Sequence, residues 1–229
     1  MRDSRLAASP RAQRALAQLA GRPLNFDPVD LQGAGANAGW HVDDYHQPLP
    51  AERPGEPIPG ASFEVARRLM ADYAFADPAI VRAVFDPASE LADRNMLLEL
   101  RFGPLRFFLG CRVGAVIDET RTVEGRMVRI WGWGYGTLAG HLERGRMDFA
   151  VWKWLNNGDV EFRIHVVSRR AGTGNPLVRL GLRLFGRRQQ VRFARRACER
   201  MGELVERELA GGRAATAPRA PRLTLPRAR

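Results

Sequence analysis

The side chains best suited to chemistry fall in one stretch, Tyr135-Gly136-Thr137-Leu138-Ala139-Gly140-His141-Leu142-Glu143. An imidazole exchanges protons near neutral pH, and a carboxylate two residues away can orient it. His141 and Glu143 are therefore a candidate acid–base pair, with the Thr137 hydroxyl beside them. The rival reading has Thr137, His141 and Glu143 ordering a loop through backbone hydrogen bonds, and it is the one the sequence favours. No nucleophile elbow is present. Gly132, Gly134 and Gly136 lie inside a strand pattern rather than at a strand-to-helix turn, so they do not form a phosphate loop. His41, Asp43, Asp44 and His46 make a second polar group, but its spacing suits a packed arm with surface histidines better than a metal site. Cys111 and Cys198 are far apart and read as buried, reduced thiols. No metal and no cofactor is expected.

The elements that position these residues need a sizeable core. A chain of 229 residues with 45% hydrophobic and 27% charged content can supply one. No apolar run reaches the ~18 residues of a membrane span, and the Arg-rich start has no apolar signal-peptide core, so a cytoplasmic location is expected. The net charge of +11 is concentrated at the ends. Residues 1–25 carry five Arg against one Asp, and residues 176–229 fourteen Arg against four Glu, leaving a mildly acidic centre. The ends read first as solvated. An anionic membrane surface stays a candidate partner, and nucleic acid is disfavoured.

In chain order, Ser9-Pro10 opens a short helix that Gly21 ends. Residues 21–60, rich in Gly and Pro, read as an irregular arm. Ser62 caps a helix with the stripe Phe63, Ala66, Leu69, Met70, Tyr73, and Asp77-Pro78 opens a second helix to Phe85. From Asn95 the period becomes two. Strands run over 95–102, 105–117 (inner face Leu105, Phe107, Leu109, Cys111, Val113, Ala115, Ile117), 126–137, 147–155 and 160–166, with Asn157-Gly158 as a hairpin turn. With Val128 and Ile130 facing the core, Gly132, Gly134 and Gly136 share that face as a pocket wall or helix seat. Trp131, Trp133 and Tyr135 then lie outside, unless a bulge swaps the faces. Trp152, Trp154, Arg163 and His165 fall on the outer face. Asn175-Pro176 starts a helix to about 209 whose apolar stripe is interrupted only at Arg187, beside a potential kink at Gly186.

Tyr135-Gly136-Thr137-Leu138-Ala139-Gly140-His141, Glu143-Arg144-Gly145, Phe162-Arg163-Ile164 and Ser168-Arg169 resemble the signature of the domain-of-unknown-function family numbered nineteen-ninety. Ala139 and Leu142 stand where that pattern has proline, and Arg146 and Arg170 replace its Glu and Pro. The resemblance covers about residues 60–210 and brings no established biochemistry. The layout also resembles, more weakly, the helix-grip fold of START-type and pollen-allergen-like proteins. That likeness implies a curved sheet wrapped on a C-terminal helix around an apolar cavity.

The reading is an α+β protein, a curved antiparallel sheet on a long C-terminal helix (helix-grip, START-like). Residues 1–60 form a helix and arm, 61–210 one domain and 211–229 a disordered basic tail. The expected function is non-enzymatic binding of a small lipophilic ligand between sheet and helix. Phe107, Leu109, Val128, Ile130, Phe149, Phe162 and Ile164 would line the site, with Tyr135, Thr137 and His141 at its polar end. The alternatives are a cyclase- or hydrolase-type enzyme using His141 and Glu143 in the same cavity, or membrane or nucleic-acid association through the basic C-terminal helix and tail.

Overall fold

The computed structural model describes residues 10–33, 39–86, 88–102, 105–171 and 187–211. The Ser9 cap, residues 103–104 between the first two expected strands, residues 176–186 with the expected kink, and the basic tail beyond 211 lie outside these residues. The elements are α1 (Pro10–Ala17), α2 (Pro28–Gln32), β1 (His41–Leu49), α3 (Ser62–Ala71), β2 (Val81–Val84), β3 (Asn95–Phe102), β4 (Leu105–Val123), β5 (Arg126–Thr137), β6 (Glu143–Trp154), β7 (Val160–Arg170) and α4 (Arg187–Gly211). The strands form one seven-stranded sheet in the order β1-β7-β6-β5-β4-β3-β2. Every pairing is antiparallel. Helix α4 packs on β1, β7 and α3. Its inward stripe includes Ala194, Cys198, Met201 and Val205, the positions its period singles out.

Two segments depart from the sequence reading. Asp77-Pro78 does nucleate a turn, with the Asp77 carboxylate accepting from the Ala79 amide at 2.8 Å. The helix expected over 78–85 does not form, because Val81–Val84 extends and pairs with Leu97–Leu100. Those residues exchange a few local bonds for a ladder and burial of Val81, Ala83 and Val84. Residues 41–49, expected as irregular arm, are an edge strand on β7. Most of its side chains are polar and half to fully exposed, so no apolar alternation announced it.

The faces of β5 also reverse the primary expectation. Trp131, Trp133 and Tyr135 point into the main core, while Val128 and Ile130 lie on the other side with Trp154. Ile130 and Val128 therefore do not line the sheet–helix space. They are covered instead by a satellite cluster of Trp152, Trp154, Val123 and Ala150. No bulge in β5 is needed: its pairing with β6 is regular from Val128 to Gly136. The irregularity sits in β4, between Val113 and Val116. It turns Ile117, expected inside, out to 41% exposure.

Gly132, Gly134 and Gly136 accordingly face away from the helix. A Cβ at Gly136 would press on the tips of two arm side chains, 2.8 Å from Leu24 and 3.1 Å from Phe26, which would have to shift. On the same outer side, Arg163 stacks on Trp152 at 3.8 Å and Arg126 on Trp154 at 4.0 Å. His165 is there too, bonded to Asp44 at 2.7 Å.

A buried ion pair holds the entry to the domain. Lys153, the chain's one lysine, continues the inward row Met147, Phe149, Val151 of β6. Its ammonium donates to Glu52 at 2.6 Å and to the Glu56 carbonyl at 2.8 Å. The two side chains are 0% and 1% exposed. The Glu52 carboxylate also accepts from the Ile58 amide at 3.0 Å and the Phe63 amide at 2.8 Å. Helix α3 has Ala61 at its N-cap and no local side-chain cap, so Glu52, not Ser62, satisfies its first turn. At the β6–β7 turn, Gly158 has φ +83°, and a Cβ there would lie 2.0 Å from the Glu52 carbonyl. The turn is thus both a hairpin and the dock for the Glu52 backbone.

Removing one partner leaves the other charge buried alone. Glu52→Ala is expected to cost about 3–5 kcal/mol in urea unfolding, and the double variant Glu52→Gln with Lys153→Met clearly less. Equal losses in both would show that the pair's charge is not what matters.

Candidate functional site

The loop joining β5 to β6 is built by backbone demand. Leu24 and Leu138 form an isolated bridge, and the Asn25 amide donates to the Thr137 carbonyl at 3.1 Å. The Thr137 hydroxyl accepts from the Gly145 amide at 2.9 Å and has the Asn25 Oδ1 acceptor at 2.6 Å. Asn25 Nδ2 in turn donates to the Glu143 carbonyl at 2.8 Å. Thr137 is thereby fully occupied as a loop clamp.

His141 does not pair with the Glu143 carboxylate. Its Nδ1 lies 3.0 Å from both the amide and the carbonyl of Glu143, so either tautomer spends that nitrogen on backbone. Burial lowers its pKa to about 4 and keeps the ring neutral at physiological pH. The carboxylate turns to helix α4, where Gln190 Nε2 approaches it at 3.3 Å and donates to Ser168 Oγ at 2.8 Å. Arg187, one turn earlier, makes two bonds to Asp43 of β1. Burial raises the Glu143 pKa to about 7, with Arg187 and Arg170 pulling it back down. A cavity of about 10 Å³ bounded by His41, Leu142, Glu143, Ser168, Arg169, Arg170, Arg187 and Gln190 is large enough for one water. The Glu143 carboxylate, rather than facing His141 as the candidate acid–base pair would need, sits in a seam joining helix, loop and edge strand. Asn25 and Gln190 carry no sequence signal for this role, since each acts across more than a hundred positions or between elements.

The second polar locus lies inside the grip. Tyr135, Phe149, Phe162, Ile164 and Leu109 face the core, with Phe107 packed at its margin. Phe149 is the centre. Its ring centroid lies 4.7 Å from Phe75, 5.2 Å from Trp133, 5.6 Å from Tyr135 and 6.2 Å from Tyr73, and it stacks on Phe162 at 6.5 Å. Among these rings are three polar atoms. The Tyr73 and Tyr135 hydroxyls are 3.5 Å apart, and Tyr135 also reaches only the Met147 sulfur at 3.5 Å. The Trp133 indole N–H, in a residue 2% exposed, has no hydrogen-bond partner among the described residues. Burial drives both phenol pKa values up, so both stay protonated donors. It likewise raises the Cys111 thiol and keeps it inert.

Tyr73 is strained. It occupies the left-handed position after α3, with φ +55°. The Tyr73 amide bonds the Met70 carbonyl at 3.0 Å and the Ala74 amide the Leu69 carbonyl at 2.8 Å, a Schellman ending in which glycine is the usual residue. A bulky side chain there costs about 1–2 kcal/mol. The sequence marked Tyr73 as part of a helix stripe, but its φ and the unpartnered N–H of Trp133 are visible only in three dimensions.

A curled antiparallel sheet closed by a long C-terminal helix is the helix-grip layout. The chain belongs to a family described as a domain of unknown function, DUF1990, whose model matches residues 27–200. No curated protein gives a significant match. Among solved structures, it is similar to Ara h 8.0201 at 11% identity, over 73% of this chain and 99% of that one, with a TM-score of 0.41. A protein of Thermus thermophilus, TTHA0849, is similar at 9% identity over 75% and 99% of the two chains, TM-score 0.42. The ZhuI aromatase/cyclase of Streptomyces sp. R1128 is similar at 16% identity over 76% and 98%, TM-score 0.37. Likenesses at these scores bring no ligand or reaction to this chain. Among the described residues no helix is long and apolar enough to cross a membrane, and no three His, Cys, Asp or Glu side chains cluster as a metal site.

Glu143 favours the folded state in its neutral form, because its pKa rises from 4.5 unfolded to about 7 folded. Its contribution is complete below the unfolded value and lost as pH rises through 7. His141 acts oppositely: its contribution is complete above 6.5 and lost as pH falls toward 4. Glu143→Gln should therefore gain on the wild type in thermal-melting temperature as pH rises from about 5 to about 8. A pH-independent difference would contradict this account.

Proposed function

We propose that this protein binds a small, uncharged, lipophilic molecule bearing a hydrogen-bond acceptor, held among the aromatic rings between sheet and helix α4. The observation that carries the reading is the unpartnered Trp133 indole N–H beside two phenols. A buried donor without an acceptor costs about 1–3 kcal/mol, and three donors share only a thioether and one weak hydroxyl contact here. A carbonyl or ether oxygen would satisfy them. Phe75, Phe149 and Phe162 would hold the apolar body of the molecule by stacking and burial. The strain at Tyr73 supports the same reading, since glycine would relax the backbone but remove the phenol from this group. Such a ligand is neutral, because the described rings around Phe149 present no ammonium or guanidinium to it.

In this reading Tyr135, Phe149, Phe162, Ile164 and Leu109 are binding residues, joined by Trp133 and Tyr73. Thr137 and His141 set the loop at the end of β5 and do not touch the ligand.

Native mass spectrometry of protein taken directly from cells should show a mass excess that organic extraction removes. Trp133→Phe keeps the ring and deletes the N–H, and should weaken retention by roughly three- to tenfold, the equivalent of one net hydrogen bond. Protein that carries no adduct from any host, with Trp133 N–H exchange matching an ordered water, would overturn the proposal.

A further inference from the structure

A different part of the molecule carries a site of its own. Between the turn leading into β2 and the N-terminal half of α4 lies an open groove of about 610 Å³, lined by Asp77, Ile80, Val191, Glu199 and arginines 187, 188, 192, 195 and 196. Two of these arginines are committed. Arg187 is bound to Asp43, and Arg196 to Asp77 at 3.2 Å, Glu199 at 3.2 Å and Glu203 at 2.9 Å. The groove's two acids, Asp77 and Glu199, share the Arg196 guanidinium with Glu203. Arg188, Arg192 and Arg195 are exposed and have no carboxylate partner among the described residues. In the sequence, residues 172–198 carry seven arginines and no aspartate or glutamate.

The rest of the lining is apolar. Ile80 and the partly buried Val191 face the same space. A groove with an apolar floor and three uncommitted guanidinium forks fits a molecule with an anionic head and an apolar body. Guanidinium presents paired N–H donors to a carboxylate or phosphate, and charge-assisted bonds of this kind are the stronger class. The concave shape favours a single molecule over a bilayer, whose flat surface cannot reach Ile80 and Val191 between helix and turn.

We propose that this groove binds a monomeric anionic amphiphile, its carboxylate or phosphate head on Arg188, Arg192 and Arg195 and its body on Ile80 and Val191. The site is independent of the interior reading: it lies at the edge of the sheet, its ligand is charged, and Trp133 takes no part in it.

The test is isothermal titration of the full chain with octyl phosphate, inorganic phosphate and an uncharged octyl glycoside, alongside sedimentation with phosphatidylglycerol vesicles. Octyl phosphate should bind, with inorganic phosphate and the glycoside each at least about tenfold weaker, and added salt should weaken it. The double variant Arg192→Gln with Arg195→Gln should lose about tenfold in affinity through the missing charge-assisted bonds. Both residues are exposed, so the melting temperature should hold and serves as the folding control. Trp133→Phe should bind octyl phosphate as the wild type does. Inorganic phosphate binding as tightly as octyl phosphate would overturn the amphiphile, and vesicle binding without monomer binding would overturn the single-molecule site. Loss of octyl phosphate binding on Trp133→Phe but not on the arginine double variant would place the ligand in the interior and end the proposal.

Discussion

The structure depends on how the concave face of one curled sheet is closed. A single sheet cannot bury a face by itself, and here Phe149 gathers Tyr73, Phe75, Trp133, Tyr135 and Phe162 into one packed block. Full burial of a side chain of this size contributes about 1.5–3 kcal/mol, and ring pairs add to it. Two of those rings do not come from the sheet at all. They are delivered by the turn after α3, which is why the placement of α3 matters. Its first turn is satisfied by Glu52, and Glu52 is held by Lys153 and by the hairpin at Gly158. The buried ion pair is thus less a source of stability than a locator, because hydrophobic replacements could match its energy but would not satisfy the Phe63 and Ile58 amides.

Polar side chains divide between two tasks. Those around the β5–β6 loop are spent on assembly: Thr137 and His141 on backbone, Glu143 and Ser168 on Gln190, Asp43 on Arg187. Among the described residues those in the interior are under-used, with donors outnumbering acceptors around Trp133. Charge follows the same division. The arginines of α4 that meet acids tie the helix to β1 and to the β2 turn, and Arg188, Arg192 and Arg195 face a groove.

Legibility in the sequence followed the strength of local alternation. The strands from Asn95 onward, the Asn157-Gly158 hairpin and the stripe Ala194, Cys198, Met201, Val205 were readable, because each element has one apolar side facing one core. Residues 41–49 were not, since an exposed edge strand can alternate Asp, His and Gln without penalty. Strand β5 misled for a different reason. Val128 and Ile130 were assumed to mark the core, whereas a satellite cluster with Trp152 and Trp154 buries them on the far side. Alternation reveals that a strand has two faces, not which face meets which neighbour. Of the site residues, Phe149, Phe162, Ile164 and Leu109 sit on the inward parity expected of them, whereas Tyr135, placed outside by parity, is inside. Ile130 does not sit where expected, and His141 and Glu143 are neighbours in sequence whose side chains part company.

By itself the sequence determined the family signature, the period-two region, the terminal helix and the concentration of arginine at the ends, because these are properties of residues close together in the chain. Tertiary structure decided the rest. It chose the aromatic face of β5 as the inner one, turned Ile117 outward through the bulge in β4, paired Glu52 with Lys153 and left the Trp133 N–H without an acceptor among the described residues. Each of these depends on which distant segment arrives opposite a given side chain, and hydrogen bonding and burial are settled only by that arrival.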